Sequence, residues 1–324
     1  MTRHDQWLSL VTEKVLEPEI PICDAHHHIW NFESDGKMGG LMVGQRYLAA
    51  DYVKDVGGGH NIKQSVVVQS RGNNENRPGG GMTPIQETLF VVKQDEELKS
   101  KINVAAGIVG FVDLTAGKAA AADIEAQLEA GKKRFKGIRN DLKMASDPKF
   151  LEGFALLSKY NLSFDLLGDI SQFPQLVEIA KKFPSTALII EHMGFPKMQG
   201  KTPQEKDEIL AEWRRRIQMT AVYDNIYMKL GGSAMPDRGF GFSTKPEPPS
   251  SEEMVRSINS HYQFLIEQFG PKRCMFESNI PSDKASASYT VIWNAFKLMT
   301  RSFTETERAY LFTDTASQVY NLKI

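Results

Sequence analysis

The sequence of 324 residues lacks three features that define large classes of protein. It has no apolar run long enough to cross a membrane, its 39 Lys and Arg residues are balanced by 40 Asp and Glu residues, and it contains only two cysteines, Cys23 and Cys274. We therefore expect no membrane span, no nucleic-acid partner and no disulfide framework. The first twenty residues also lack the apolar core of a secretory signal. These absences predict a cytoplasmic protein whose cysteines are buried and reduced.

The absence of a glycine-rich motif narrows the choice of fold class. A doubly wound dinucleotide-binding sheet normally has a G-x-G-x-x-G motif after an early strand, and this chain has none there. Eight short runs rich in branched and aromatic residues instead alternate with amphipathic segments. The predicted strands are 20–26, 64–70, 102–112, 135–139, 162–167, 187–192, 225–230 and 274–278, and the predicted helices are 85–98, 119–130, 148–160, 173–183, 204–222, 252–269, 285–299 and 304–320. This alternation predicts an α/β fold, a (β/α)8 TIM barrel in a single domain over residues 1–324, with residues 1–19 as an N-terminal extension.

The predicted connections are unequal in length. Residues 30–48, 71–84, 194–202 and 231–251 form long segments after strands, whereas only a few residues lead from Phe269 back to Cys274. In a barrel the strand-to-helix loops lie at the carboxyl end of the strands, where active sites are built. We interpret the Pro-rich segment 231–251 as an active-site loop, because a domain linker would interrupt one repeat of the barrel.

Three of the seven histidines cluster at the end of the first predicted strand, in D-A-H-H-H-I-W (24–30). Alternation along a strand places His26 and His28 on the inner face and turns His27 toward the surrounding helices. Two imidazoles on one rigid element suit a divalent metal ion, and they equally suit polarisation of a carbonyl group.

Polar side chains also occur at the ends of other predicted strands. They are Gln69 and Arg71 after strand 2, Arg139 on strand 4, His192 on strand 6, Lys229 on strand 7, and Glu277 and Asn279 on strand 8, with Asp283 on the following loop. Packing alone does not explain so many polar groups at one end of a barrel, because unpaired buried polar groups cost free energy. Their coincidence predicts a catalytic site.

Strand parity predicts two carboxylates beneath this site. Glu277 lies two residues before Asn279, and Asp24 stands in the same relation to His26. Each carboxylate is expected to fix a histidine tautomer or to orient Lys229. For Glu277, a salt bridge with a barrel lysine and a catalytic role are the alternatives.

These motifs together resemble the amidohydrolase superfamily and, within it, the "amidohydrolase 2" branch of metal-dependent TIM-barrel hydrolases. The motifs are D-x-H-x-H (24–28), G-I-R (137–139), E-H-M-G (191–194), K-L-G-G (229–232) and F-E-S-N-I-P (276–281). The branch includes lactonases and decarboxylases of aromatic acids. The resemblance matches His26 and His28 to the family's histidine pair on strand 1 and His192 to its histidine on strand 6, which implies that these three residues are the metal ligands.

Two departures from the family pattern leave open whether this protein binds a metal ion. Asn279 stands where most members carry an aspartate that ligates metal and accepts a proton from water, and an amide cannot act as a general base. The fifth predicted strand ends without the histidine that decarboxylases of the branch usually have. His26, His28 and His192 therefore either hold one divalent ion, Zn²⁺ or Mn²⁺, or act without metal, as some lactonases of the branch do.

The sequence thus predicts a hydrolase that opens a carboxylate-bearing lactone or related cyclic ester with activated water. Several residues have expected roles: His26, His28 and His192 polarise the carbonyl, Gln69, Arg71 and Arg139 bind the substrate, Lys229 stabilises the oxyanion, Asp283 or Glu277 is the base, and Asn279 completes the site. A metal-dependent decarboxylase of an aromatic acid, or a binding protein that has lost catalysis, are the alternatives. The expected partner is a small-molecule substrate, and the sequence does not distinguish a monomer from a homo-oligomer.

Overall fold

Eight parallel strands form a barrel in the computed structural model, which describes residues 3–31, 46–70, 81–98 and 100–323. The strands are β1 (Pro21–His27), β2 (Asn61–Val68), β3 (Asn103–Gly110), β4 (Phe135–Asn140), β5 (Ser163–Leu166), β6 (Leu188–Ile190), β7 (Ile226–Leu230) and β8 (Cys274–Phe276), and each pairs with the next. The barrel closes where His28 N donates to Ile280 O at 2.8 Å and Asn279 N donates to His26 O at 2.9 Å. The predicted single-domain TIM barrel is confirmed.

Helices surround this barrel. They are α1 (Arg3–Leu8), α2 (Ala49–Val56), α3 (Pro84–Leu98), α4 (Ala120–Gly131), α5 (Pro148–Lys159), α6 (Phe173–Lys182), α7 (Pro203–Ala221), α8 (Ser251–Phe269), α9 (Tyr289–Met299), α10 (Glu305–Ala309) and α11 (Thr315–Val319), with a π-helical turn at Tyr310–Asp314. The last three segments form the single helix predicted at 304–320. Its start is capped, because Thr304 and Glu307 exchange side-chain and backbone hydrogen bonds.

The sequence prediction missed α2, which is the helix between β1 and β2. Its eight residues contain too few turns to show a helical period, and only Ala49, Tyr52 and Val56 are buried. The predicted helix at 304–320 is therefore an addition after the eighth strand and its helix. This difference leaves the strand count and the barrel unchanged.

Helix α8 shows how the local sequence determines where a surrounding helix begins and which face it packs against the barrel. The Ser250 hydroxyl accepts a hydrogen bond from Glu253 N at 3.2 Å and so begins the helix. Apolar residues then recur every three or four positions and are buried: Met254, Ile258, Tyr262, Leu265 and Phe269. This face packs toward the barrel and leaves the preceding residues 231–250 as a loop at the carboxyl end.

A small apolar cluster fills the barrel beneath that end. It contains Cys23, Ala25, Val66, Val68, Val109, Ile189 and Met275 from the strands and Ala316 and Tyr320 from the C-terminal segment. Both cysteines are buried and free, as predicted. The cluster forms an apolar floor under the polar strand ends.

The loop at residues 231–250 contacts the N-terminal helix. Trp7 Nε1 lies 3.2 Å from Lys245 O and 3.0 Å from Pro246 O. The predicted loops 30–48 and 71–84 lie mostly outside the described residues. Among the described helices, none combines the length and apolar composition that crossing a bilayer requires.

Candidate active site

Strand β1 contains an irregularity that separates Asp24 from the inward-facing histidines. The pairing register with β2 shifts between Asp24 and His27, and an extra residue in a strand reverses the side on which later side chains lie. His26 and His28 therefore face the interior, while Asp24 and His27 face the helices. The His27 ring stacks on Tyr52 of α2 with 3.8 Å between centroids, in agreement with its predicted outward position.

The predicted role of Asp24 is consequently wrong, because its carboxylate contacts neither a histidine ring nor Lys229. It is fully buried and accepts hydrogen bonds from Ser278 N at 2.8 Å, Ser278 Oγ at 2.6 Å, Tyr52 OH at 3.0 Å and Tyr289 OH at 3.3 Å. Burial raises the pKa of Asp24 to about 6. These bonds tie β1 to the segment after β8, where the barrel closes.

His26 and His28 bring two ring nitrogens together inside the barrel mouth. Their Nε2 atoms are 3.1 Å apart, and His28 Nδ1 is 2.8 Å from Val68 O. A carbonyl oxygen only accepts, so His28 Nδ1 carries the proton and its Nε2 presents a lone pair toward His26. Burial holds the pKa of both rings well below the ordinary value of 6.5, and neighbouring positive groups lower it further. Both imidazoles are therefore neutral.

His192 lies on a tight turn after β6, with a backbone φ of +52°. Its Nδ1 is 2.6 Å from Glu277 Oε1, and the same oxygen accepts a hydrogen bond from His192 N at 3.0 Å. Burial raises the pKa of Glu277 to about 7; when this carboxyl group is ionised, His192 Nδ1 carries the proton and Nε2 presents a lone pair. The His192 and His26 ring centroids are 4.7 Å apart, and burial lowers the pKa of His192 to about 3. Glu277 orients a histidine, which agrees with one of its predicted roles.

Arg139 is engaged within the protein. Its Nε and Nη2 each lie 2.8 Å from Glu191 Oε2, and its Nη1 donates to Gln69 O at 3.2 Å. Three of its five N–H groups are thus used, and among the described residues the other two have no hydrogen-bond partner. Gln69 contributes its backbone carbonyl to this arrangement. Arg71, the other predicted substrate-binding arginine, lies outside the described residues.

Glu191 is a member of the site that the sequence interpretation did not assign. Its Oε1 lies 3.4 Å from His26 Nδ1. Strand parity contained the necessary signal: Ile189 faces the interior, so Glu191 two positions later faces the same way.

Lys229 lies deeper than predicted. It is fully buried, and its Nζ is 2.7 Å from Asp165 Oδ2 on β5 and 3.4 Å from His26 Nδ1. Its ammonium group faces Asp165 and the Nδ1 side of the His26 ring, whereas the Nε2 side of that ring meets His28. This position favours a role for Lys229 that is exerted through His26. Its partner Asp165 lies on β5, the strand on which decarboxylases of the branch usually carry a histidine.

Asn279 and Asp283 form a buried pair after β8. Asn279 Nδ2 donates to Asp283 Oδ2 at 2.5 Å, and Ala234 N donates to Asp283 Oδ1 at 2.6 Å. Burial raises the pKa of Asp283 to about 8 despite these two donors. Asn279 Oδ1 has no hydrogen-bond partner among the described residues. An amide joined to a carboxyl group thus replaces the single carboxylate that the resemblance implies at this strand end.

The donor atoms of the site fit a divalent cation. His26, Glu191 and His192 each offer one ligand atom, and these atoms lie within 4.8 Å of one another. The 3.1 Å between the Nε2 atoms of His26 and His28 is near the about 3.3 Å that separates two nitrogen ligands of one tetrahedral zinc ion. Neutral imidazoles are the form that binds metal. In the part of the chain that is described, Glu191 Oε1 and Glu277 Oε2 are buried without a hydrogen-bond partner, as acceptors of a cation would be.

Relatives of similar length are known. An uncharacterised protein, y4mH, from Sinorhizobium fredii is 28% identical over 94% of this chain and 99% of its own length. L-fucono-1,5-lactonase from Burkholderia multivorans is 25% identical over 92% of this chain and 95% of its own length. The relatives therefore span nearly the whole molecule.

A solved structure has the same architecture. An amidohydrolase from Burkholderia multivorans, solved with bound zinc, superposes with a TM-score of 0.75 and 22% identity over 94% of this chain and all of the other. Residues 23–322 match the amidohydrolase family. That range includes every strand end described above and extends through α11. The chain therefore belongs to the amidohydrolase family, and it is a hydrolytic enzyme built on a TIM barrel.

Proposed function

We propose that this enzyme is a lactonase that hydrolyses a small carboxylate-bearing lactone at the mouth of the barrel. One observation carries the proposal: three neutral imidazoles converge, with 3.1 Å between the Nε2 atoms of His26 and His28 and 4.7 Å between the ring centroids of His26 and His192, and the same barrel mouth contains the carboxyl group of Asp283, held by Asn279, whose pKa burial raises to about 8. Neutral imidazoles accept hydrogen bonds or bind metal, and a carboxyl group of this pKa both accepts and returns a proton. The lactonases among the relatives support the same class of reaction.

His192 and Glu277 are proposed to place the attacking water. The Glu277 carboxylate fixes the His192 proton on Nδ1, so the Nε2 lone pair is available at the mouth. Of this pair only His192 retains exposed side-chain surface, at 13% against none for Glu277. We therefore assign contact with water or substrate to His192 and orientation of its ring to Glu277.

Asp283 is proposed to move the proton of the reaction. As water adds to the lactone carbonyl, its proton passes to Asp283, and the bond between the carbonyl carbon and the ring oxygen then breaks. The same proton goes to the alkoxide that leaves, which gives a hydroxy acid. The Asn279 amide fixes the Asp283 carboxyl group by the contact at 2.5 Å.

His26, Glu191 and His192, whose ligand atoms lie together, are the residues that would hold a divalent ion such as Zn²⁺ or Mn²⁺, with His28 next to His26. When bound, such an ion supplies Lewis acidity, which polarises a carbonyl group and lowers the pKa of water. The proton-accepting groups of the chain also support hydrolysis without metal. Both routes use the same imidazoles.

Arg139 is the residue that we assign to the substrate carboxylate. Glu191 and Gln69 leave two of its N–H groups for a ligand, and a guanidinium binds a carboxylate with good geometry. Glu191 holds the guanidinium in place at the carboxyl end of β4. Decarboxylation of an aromatic acid is not favoured, because β5 ends without a histidine and its Asp165 is paired with Lys229.

A panel of lactones tests the proposal. Wild-type protein, stripped of metal and then supplied with Zn²⁺, Mn²⁺ or neither, is incubated with neutral sugar-acid lactones and with lactones that carry a carboxylate, and acid release is followed. We expect ring opening of at least one lactone, fastest among those with a carboxylate, and an increase in KM with Arg139→Lys. Absence of ring opening across the panel under all three conditions would exclude the function.

Gly232 permits the position of the His192 ring, and its replacement is expected to lower activity. A Cβ at residue 232 would lie 2.7 Å from His192 Cβ. Gly232→Ala should therefore displace the ring and lower kcat/KM for lactone opening by about tenfold or more. Steady-state kinetics check this, with Gly200→Ala as a matched control. Gly200 also has a positive φ, +75°, but nothing lies within 4 Å of its Cβ position; equal losses in both variants would contradict the argument.

Asp283 is also expected to affect how stability depends on pH. Its pKa is about 8 in the folded protein and near 3.8 when exposed, so the folded state binds the proton more tightly. The stabilisation is complete below about pH 4 and is lost as the pH rises through about 8. Asp283→Asn should therefore reduce the fall in melting temperature between these pH values. Parallel slopes for wild type and variant in thermal unfolding would show that Asp283 does not titrate in this range.

A further inference from the structure

A chain of buried polar groups connects the C-terminal segment to His26 through the barrel interior. Tyr320 OH donates to Asp165 Oδ2 at 2.6 Å, and Lys229 Nζ donates to the same oxygen at 2.7 Å. Ser163 Oγ donates to Asp165 Oδ1 at 3.2 Å, and Lys229 Nζ reaches His26 Nδ1 at 3.4 Å. Asp165, Lys229 and His26 have no exposed surface. Asp165 therefore holds the ammonium group in one position beneath the His26 ring.

One tautomer of each histidine gives every hydrogen bond in this chain a donor and an acceptor. An ammonium group can only donate, so at the Lys229 contact His26 Nδ1 is the acceptor, and the ring proton is on Nε2. At the other end Val68 O can only accept, which puts the His28 proton on Nδ1 and leaves its Nε2 bare. His26 Nε2–H can then donate across the 3.1 Å to His28 Nε2. The donors and acceptors agree along the whole chain.

Two carboxylates compete with the ammonium group for the same ring atom. Glu277 Oε2 lies 3.1 Å and Glu191 Oε1 lies 3.4 Å from His26 Nδ1. These oxygens can accept only if Nδ1 carries the proton. In that tautomer the two Nε2 lone pairs of His26 and His28 face each other at 3.1 Å, an arrangement that is stable only with a cation between them.

We propose that Lys229, held by Asp165 and Tyr320, is a positioning residue that keeps the His26 proton on Nε2 in the metal-free enzyme and so opposes metal binding by His26 and His28. For both Nε2 atoms to hold a divalent cation, the His26 proton would have to lie on Nδ1, where Glu277 Oε2 at 3.1 Å would accept its hydrogen bond; the net charge of the ring would not change. The metal part of this inference rests on the proposed site, whereas the tautomer of the metal-free protein does not.

Lys229, which lies beneath the ligand atoms, therefore lowers the affinity of the proposed site for a divalent cation. Lys229 places a positive charge near the ligand atoms and stabilises the tautomer that cannot coordinate through His26 Nε2. Glu191 and Glu277 act in the opposite sense.

The tautomer is measured directly by ¹⁵N NMR of histidine-labelled protein, because protonated and bare ring nitrogens have well-separated resonances. His26→Asn identifies the His26 signals. In metal-free wild type we expect His26 Nδ1 to be bare and Nε2 to be protonated, and we expect these to exchange on addition of Zn²⁺. A His26 ring protonated on Nδ1 in the metal-free wild type would overturn the proposal, and this readout needs no lactone to be opened.

Metal affinity provides the second readout. The double variant Lys229→Met/Asp165→Asn removes the ammonium group without leaving an unpaired carboxylate, and calorimetric titration should show that it binds Zn²⁺ about tenfold or more tightly than wild type. Lys297→Met is the matched control, because Lys297 is also a buried lysine, 3.0 Å from His60 Nδ1, but lies outside the barrel. Unchanged or weaker Zn²⁺ affinity in the double variant, or an equal gain in the control, would refute the role of Lys229. Lactone opening that fails while the tautomer is as expected would reject the proposed function alone.

Discussion

Replacement of Asp24 by alanine is expected to lower the free energy of unfolding by about 3–5 kcal/mol, as breaking a buried charged network does. The carboxylate is fully buried and accepts hydrogen bonds from Ser278, Tyr52 and Tyr289. Removing it leaves these donors unsatisfied where β1 meets the segment after β8. Chemical denaturation monitored by circular dichroism measures the loss.

The control for this prediction is another aspartate that accepts a backbone hydrogen bond. Asp113 accepts from Thr115 N at 2.9 Å at the start of a short 3₁₀ helix, but it is exposed. Asp113→Ala should cost about 1 kcal/mol. If Asp24→Ala cost no more than this control, the closure of the barrel would not depend on Asp24.

The second large effect is expected at Glu277. Glu277→Gln keeps the shape of the side chain but weakens its hold on the Nδ1 proton of His192, now at 2.6 Å. With the ring free to adopt the other tautomer, kcat for lactone opening should fall by about 100-fold or more while KM changes little. Initial rates over a range of lactone concentrations separate the two parameters.

Glu267→Gln on the exposed surface of α8 is the control for the loss of a carboxylate. Its kcat should equal that of wild type. Far-ultraviolet circular dichroism establishes that both variants fold. A Glu277→Gln enzyme with kcat within a few-fold of wild type would mean that orientation of His192 does not contribute to the reaction.

The barrel was predictable because its evidence is repeated along the chain. Eight apolar runs alternate with amphipathic segments, and each repeat supports the same topology. The prediction missed the short helix at Ala49–Val56, and it did not anticipate the π-helical turn within the correctly predicted helix at 304–320. Local periodicity does not reveal either feature.

The sequence predicted which strand ends contribute residues to the site, but it did not predict which of these side chains contact each other. Alternation correctly turned His27 outward, yet the register shift in β1 moved Asp24 to the outer side, and strict parity cannot anticipate an added residue. The sequence likewise did not reveal that Lys229 pairs with Asp165, or that Arg139 pairs with Glu191. These partners lie on strands distant in the chain, and their contacts depend on depth inside the barrel.

The central claim is that the imidazoles at the barrel mouth open a lactone. The most direct measurement compares kcat/KM for one lactone between wild type and the double variant His26→Asn/His192→Asn, with and without added Zn²⁺. The account predicts turnover by the wild type and a loss of about 1000-fold or more in the double variant under both conditions. Turnover by the folded double variant at the wild-type rate would contradict it, because the reaction would then take place elsewhere.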